Sequence, residues 1–152
     1  MTKILFVCHG NICRSPMAEY VMKDLVRQSG REDEFVIASA ATSREELGNP
    51  VYPPVRRKLA EHGIRCDGHA ARQMTCKDYE EFGYLIGMDR MNLSNMARIC
   101  GGDPEGKCSL LLAHAGQSGD VADPWYTGDF EATWQDVNIG CRALLKELTE
   151  KK

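Results

Sequence analysis

No apolar run near the start of this chain, or later in it, is long enough to span a bilayer or to form the core of a signal peptide. The strongest candidate, residues 4–8, is only a few residues long. Positive charge is not in excess either: 19 Lys and Arg stand against 22 Asp and Glu, a net charge of −3. This removes any general reason to expect nucleic acid or an anionic membrane as partner, so attraction for anions has to be local. Histidine is scarce, at four residues. Cys8 and Cys13 resemble half of a metal site, but no second close Cys/His pair accompanies them. Cys100 and Cys108 lie too far apart for a tight zinc knuckle. Internal repeats, low-complexity tracts and linkers are missing, and 152 residues suit one domain over 1–152. The seven cysteines are odd in number and not spaced like a secreted disulfide framework. They point to a reduced, cytoplasmic protein.

What is present is concentrated in Val7-Cys8-His9-Gly10-Asn11-Ile12-Cys13-Arg14-Ser15-Pro16. A thiol ends an apolar strand, an arginine follows six residues later, and Ser-Pro opens a helix. The spacing alone is weak: with seven cysteines and eleven arginines, chance yields roughly 0.5 cases of C-x5-R. Cys66 and Arg72 form a second match, but Cys66 follows a helix end at Gly63 and no helix start follows Arg72. Context separates the first match from the second.

The elements around the motif alternate. A buried strand over Lys3–Val7 leads to a helix from Pro16, with Ala18, Val21, Met22 and Leu25 on one face and a stop at Gly30. A second strand covers Phe35–Ser39. A polar, Pro-rich loop over 41–54 precedes a helix at Val55–His62, and Thr75 with Asp78 reads as a capping box. A third strand, Gly83–Met88, runs into a helix through Arg98. A turn over 101–106 and a fourth strand, Cys108–Ala113, follow. A loop over 114–128 leads to a final helix with Phe130, Trp134, Val137, Cys141, Leu144, Leu145 and Leu148 as its core stripe. The pattern predicts an α/β fold: a single three-layer domain with a four-stranded parallel sheet flanked by helices and a phosphate-binding loop after the first strand. In such sheets ligands sit beyond the carboxyl ends of the strands. Cys8, Ser39, Asp89 and the loop holding Asp123 all belong to that rim.

The chemistry follows from the parts. Backbone N–H groups of residues 9–14 and the positive end of the first helix would surround the Cys8 sulfur. Such donors bind phosphate oxygens and favour thiolate over thiol. Arg14 adds a planar fork for two equatorial oxygens of a phosphoryl group. Ser15 reads first as the helix N-cap with Pro16 at the first helical position. Its hydroxyl could instead reach the Cys8 sulfur, and the two roles compete. Asp123-Pro124 supplies a carboxyl to protonate a leaving oxygen. Trp125 and Tyr126, two large rings on a polar loop, suit the mouth of a cleft.

These motifs, with Gly48-Asn49-Pro50, Gly68-His69, Ala71-Arg72-Gln73 and Met88-Asp89, make the chain resemble the low-molecular-weight protein tyrosine phosphatases over nearly its whole length. The resemblance implies hydrolysis of phosphotyrosine monoesters in proteins or peptides, with inorganic phosphate and other oxyanions as inhibitors and with no metal or organic cofactor. Cys8 would be the nucleophile that forms a phosphocysteine. Arg14 would hold the phosphoryl oxygens. Asp123 would serve as acid and then as base. Within the loop His9, Gly10, Asn11, Ile12, Cys13 and Ser15 would surround the phosphate. Asn11, Ser15, Ser39 and His69 would hold its shape, and Asp89 would be a buried supporting carboxylate. Cys13 would form a disulfide with an oxidised Cys8. His9, His62 and His114 carry no signal of their own.

The chain also departs from the family pattern. Ala41 stands where glycine is usual, Glu45 where an aromatic residue often walls the cleft, and Trp125 where tyrosine is usual. Other readings are a thiol-dependent arsenate reductase using Cys66, Cys76, Cys100 or Cys108, and a protein-arginine phosphatase, which typically has threonine at the position of Ile12. A phosphopeptide-binding module without chemistry would need neither Cys8 nor Asp123.

Overall fold

A computed structural model describes residues 1–150. Four strands, β1 (Thr2–Cys8), β2 (Phe35–Ala41), β3 (Tyr84–Gly87) and β4 (Cys108–Leu110), form one parallel sheet in the order β2-β1-β3-β4. The helices are α1 (Arg14–Gln28), α2 (Pro53–Glu61), α3 (Cys76–Glu81), α4 (Arg90–Cys100), α5 (Pro124–Thr127) and α6 (Phe130–Glu150), with short 3-10 segments at Glu32–Glu34 and Leu111–Ala115. The three expected layers are present.

Alternation along β1 divides the interior. Ile4, Phe6 and Cys8 face a core shared with Met17, Val21 and Met22 of α1 and Val137, Cys141 and Leu144 of α6. Leu5 and Val7 face a smaller core with Met74, Tyr79, Phe82 and Met96. Strand residues buried on both faces are what a parallel sheet requires. From β1 the chain moves to β2 on one side and later returns to β3 on the other. The end of β1 is therefore the point where strand order reverses, and Cys8 sits there.

Several expected boundaries shift. β4 ends at Leu110 rather than Ala113, because Leu111–Ala115 tightens into a 3-10 turn that puts Leu111 against α6. The long loop over 114–128 contains α5, with Asp123 as its N-cap. The capping box is present: Thr75 N–H donates to Asp78 Oδ2 at 2.8 Å. Ala41 does not begin the loop expected over 41–54. It extends β2 and bridges to Gln73.

Leu111 also explains a glycine inside α6. A Cβ at Gly140 would lie 2.4 Å from Leu111 Cγ. Gly140→Ala is expected to destabilise the fold by about 1–3 kcal/mol, since overpacking outweighs the helix propensity gained. A urea midpoint equal to or above that of wild type would contradict this packing.

Candidate active site

The segment between β1 and α1 wraps around one sulfur. Asn11 N–H and Ser15 N–H point at Cys8 Sγ from 3.3 and 3.4 Å. The wrap needs a left-handed residue, and Asn11 adopts φ 60°, which asparagine tolerates better than most side chains. Ser15 is not the N-cap. Helix α1 starts at Arg14 after Cys13, with no side-chain cap, and Pro16 falls in the first turn, where its missing N–H costs nothing. Ser15 Oγ lies 3.0 Å from Cys8 Sγ instead. Of its two competing roles, the contact with sulfur is the one made.

Hydrogen-bond polarity supports that contact. Asn11 Nδ2 donates to Ser15 Oγ at 2.8 Å and to Ser39 Oγ at 2.9 Å, while Asn11 Oδ1 accepts from Arg72 N–H at 3.2 Å. The Ser15 oxygen is thus an acceptor from Asn11. Its own proton is left for the sulfur at 3.0 Å or the more distant Ala40 carbonyl at 3.5 Å. His69 Nε2 donates to Asn11 O at 2.8 Å. Asn11, Ser15, Ser39 and His69 therefore meet in one network. It continues to a residue not singled out from sequence: Ser39 Oγ donates to the buried Glu19, which Lys23 Nζ pairs from the surface at 2.6 Å. Because a carboxylate only accepts, Glu19 orients the Ser39 hydroxyl and leaves its lone pairs to Asn11.

Arg14 is buried, with its side chain 3 % exposed. Its Nη1 donates to Asp89 Oδ2 at 2.7 Å and to Val121 O at 3.0 Å; its Nη2 lies 3.4 Å from Asp123 Oδ2. Burial works against the guanidinium charge, but the negative charge at Cys8 and the two carboxylates outweigh it, and its pKa rises. The Asp89 side chain is 22 % exposed, somewhat more open than the buried carboxylate expected. Its Oδ1 accepts from Asn92 N–H at 2.7 Å and caps α4, so one carboxylate holds both a helix end and the arginine. Asp123 Oδ1 accepts from Trp125 N–H at 3.1 Å. Cys13 is pushed up to about 12, first by burial and then by the charges at Cys8 and Asp123. It is a protonated thiol in the same loop as Cys8.

Above this network opens a cleft of about 390 Å³, floored by Cys8 and Arg14 and walled by Ile12, Asp123, Trp125 and Tyr126. The two rings are 53 % and 83 % exposed. Trp125 leans on Tyr52 with ring centroids 5.0 Å apart, and Tyr52 N–H donates to Ile12 O at 2.9 Å. Tyr52 thus ties the loop holding Asp123 to the loop after β1. Sequence reading missed it inside a Pro-rich segment. His9 also lines the cleft, paired with Glu45. His62 stacks on Trp134 and His114 bridges Ser109 and Glu147, both away from the site. The second C-x5-R match builds no cradle: Cys66 is buried in the larger core, and the Arg72 guanidinium grips Asp78 at 3.0 and 3.1 Å.

A thiol at the tip of a central parallel strand, ringed by amides and an arginine and faced by an aspartate, defines the class of cysteine-dependent phosphate-loop proteins. Within that class, residues 3–152 match the family described as low molecular weight phosphotyrosine protein phosphatase, and the chain belongs to that family. It is 38 % identical over 154 residues to the low molecular weight protein-tyrosine-phosphatase YfkJ of Bacillus subtilis, covering 100 % of this chain and 99 % of that protein. The YfkJ crystal structure superposes with a TM-score of 0.96, covering 100 % of this chain and 97 % of that one. The low molecular weight protein tyrosine phosphatase of Streptococcus pyogenes is 42 % identical with a TM-score of 0.88, covering 97 % and 93 %. The Drosophila arginine phosphatase is 30 % identical with a TM-score of 0.87, covering 97 % and 98 %.

Proposed function

We propose that this protein hydrolyses phosphotyrosine monoesters in proteins or peptides through a phosphocysteine. The observation that carries the reading is the placement of the Cys8 sulfur under two amides and the Ser15 hydroxyl, with the Asp123 carboxyl joined to the same site through Arg14. Cys8 attacks phosphorus. The phosphoryl oxygens take the loop amides and the Arg14 donors not spent on Asp89 and Val121. Asp123 protonates the tyrosyl oxygen as the P–O bond breaks. It then takes a proton from the water that attacks the phosphocysteine and releases phosphate, returning the Cys8 thiolate. Ile12, Trp125 and Tyr126 offer apolar surface to an aromatic ring.

Overall similarity does not separate this reading from phosphoarginine hydrolysis, since a relative named for that activity shares the fold. The wall at Ile12 favours the ring. Cys66, Cys76, Cys100 and Cys108 do not line the cleft, which weighs against a disulfide relay from Cys8. The deciding experiment compares matched phosphotyrosine and phosphoarginine peptides, with at least tenfold faster turnover of phosphotyrosine expected by this reading; faster phosphoarginine turnover would overturn it. Asp123→Ala should lower phosphotyrosine turnover about 10²–10³-fold, and p-nitrophenyl phosphate turnover far less, because nitrophenolate leaves without a proton. Equal losses on both substrates would remove Asp123 from the role of acid.

The seven cysteines are free thiols, an arrangement that suits a reducing cytoplasmic compartment, and none of the described helices is long and apolar enough to cross a membrane. Peroxide would convert Cys8 to a sulfenic acid, removing the negative charge that helps keep the Cys13 proton in place. The Cys13 sulfur then displaces water to form a Cys8–Cys13 disulfide. Treatment with peroxide and then dithiothreitol should restore wild-type activity and restore little in Cys13→Ser. Equal recovery in both would end this protective role.

A further inference from the structure

We propose that Glu45 and Glu46 act as specificity determinants, making the cleft prefer phosphotyrosine peptides with a cationic side chain beside the phosphotyrosine. This inference depends on the phosphatase reading above and names its substrate class. Both glutamates line the cleft together with His9, while Trp125 and Tyr126 belong to the acid loop. The segment carrying them is anchored directly to the phosphate loop. Thr42 N–H donates to Cys8 O at 2.9 Å; Ser43 N–H and Oγ donate to His9 O at 3.1 and 2.9 Å; and Glu45 N–H lies 3.4 Å from Ser43 Oγ. Three hydrogen bonds to residues 8 and 9, extended by the Glu45 contact with Ser43, thus set where the two carboxylates stand.

Each carboxylate has a local partner that positions it at the cleft. Glu45 is paired with His9, the residue next to the nucleophile, and its side chain is 68 % exposed. Glu46 accepts from Asn49 Nδ2 at 2.5 Å, a neutral donor that orients it without cancelling its charge. Its charge reaches the floor of the site, where it contributes to the raised pKa of Cys13. Arg14 is the permanent cation among the residues lining the cleft. It lies at the floor and is engaged by the phosphate once substrate is bound. Flanking residues of a bound peptide therefore meet the field of Glu45 and Glu46. A lysine or arginine there gains an ion pair, and a glutamate or aspartate is repelled.

The test uses two phosphotyrosine peptides that differ only in lysine or glutamate at the positions flanking the phosphotyrosine. Exposed pairs are worth up to roughly fivefold each, so wild type should show kcat/KM about tenfold higher on the lysine peptide in low salt. The preference should shrink as sodium chloride screens the charges. Glu45→Gln with Glu46→Gln, which keeps shape and hydrogen bonding, should reduce the ratio to about twofold or less, and Glu45→Lys should turn it toward the glutamate peptide. A wild-type ratio near one, or a ratio unchanged in the double variant, would overturn the rim assignment while the phosphatase reading stands. Failure of wild type to hydrolyse either peptide would sink both.

Discussion

Cys8→Ser will lose at least about 10⁴-fold in kcat on p-nitrophenyl phosphate while still binding phosphate or vanadate within about tenfold of wild type. The two outcomes come from different parts of the site. Turnover needs a sulfur anion at the attack position, and a serine hydroxyl there has no adjacent group placed to take its proton: Ser15 and the amides of Asn11 and Ser15 are donors toward that atom. Oxyanion binding uses the loop amides and Arg14, which the substitution leaves in place. Acid-quenching wild type during turnover should recover one phosphoryl group on Cys8 by mass spectrometry. A serine variant retaining more than a few per cent of activity, or phosphate trapped on a different residue, would refute the covalent route.

Arg14→Ala will cost about 10³–10⁵-fold in kcat/KM, the range seen where one guanidinium stabilises a transferring phosphoryl group. Arg14→Lys will recover little of this. Asp89 and the Val121 carbonyl hold the guanidinium through Nη1, so its plane is set before substrate arrives. A lysine presents one charged point without a fork and cannot both satisfy Asp89 and reach two phosphoryl oxygens. Steady-state kinetics of the two variants, beside Asp89→Asn, test this. If Asp89→Asn leaves kcat/KM unchanged, the pre-set orientation contributes nothing; if Arg14→Lys is near wild type, charge alone suffices.

Much of this site was legible along the chain because its centre is local. Cys8, Asn11, Arg14 and Ser15 lie within eight residues, and a strand end, a turn and a helix start impose their relative positions. The outer parts were legible only as candidates. Arg14 meets Asp89 across 75 residues, and His69 meets Asn11 across 58. The rule that loops gather at the strand ends says that such residues share a rim, not which atoms touch. Ser15 shows the limit within the motif itself. Its sequence position fits a helix cap, but the nearby Asn11 amide and Cys8 sulfur settle its hydroxyl elsewhere. Glu19, Tyr52 and the His9–Glu45 pair had no signal, since a buried glutamate on an amphipathic helix or a tyrosine before two prolines looks ordinary until its neighbour is known.

Local sequence pattern was enough for the alternation of strands and helices, for the place of Cys8 at the end of the first strand and for a loop ahead of the last helix that carries Asp123-Pro124. These follow from hydrophobic period, turn residues and backbone geometry over a few residues. Packing in three dimensions settled where β4 stops, which partner each hydroxyl serves, how Asp89 and Asp123 share one arginine, and that Glu46 joins Glu45 in lining the cleft. Those outcomes depend on packing between segments far apart in the chain, where a side chain's partner is chosen by distance in space.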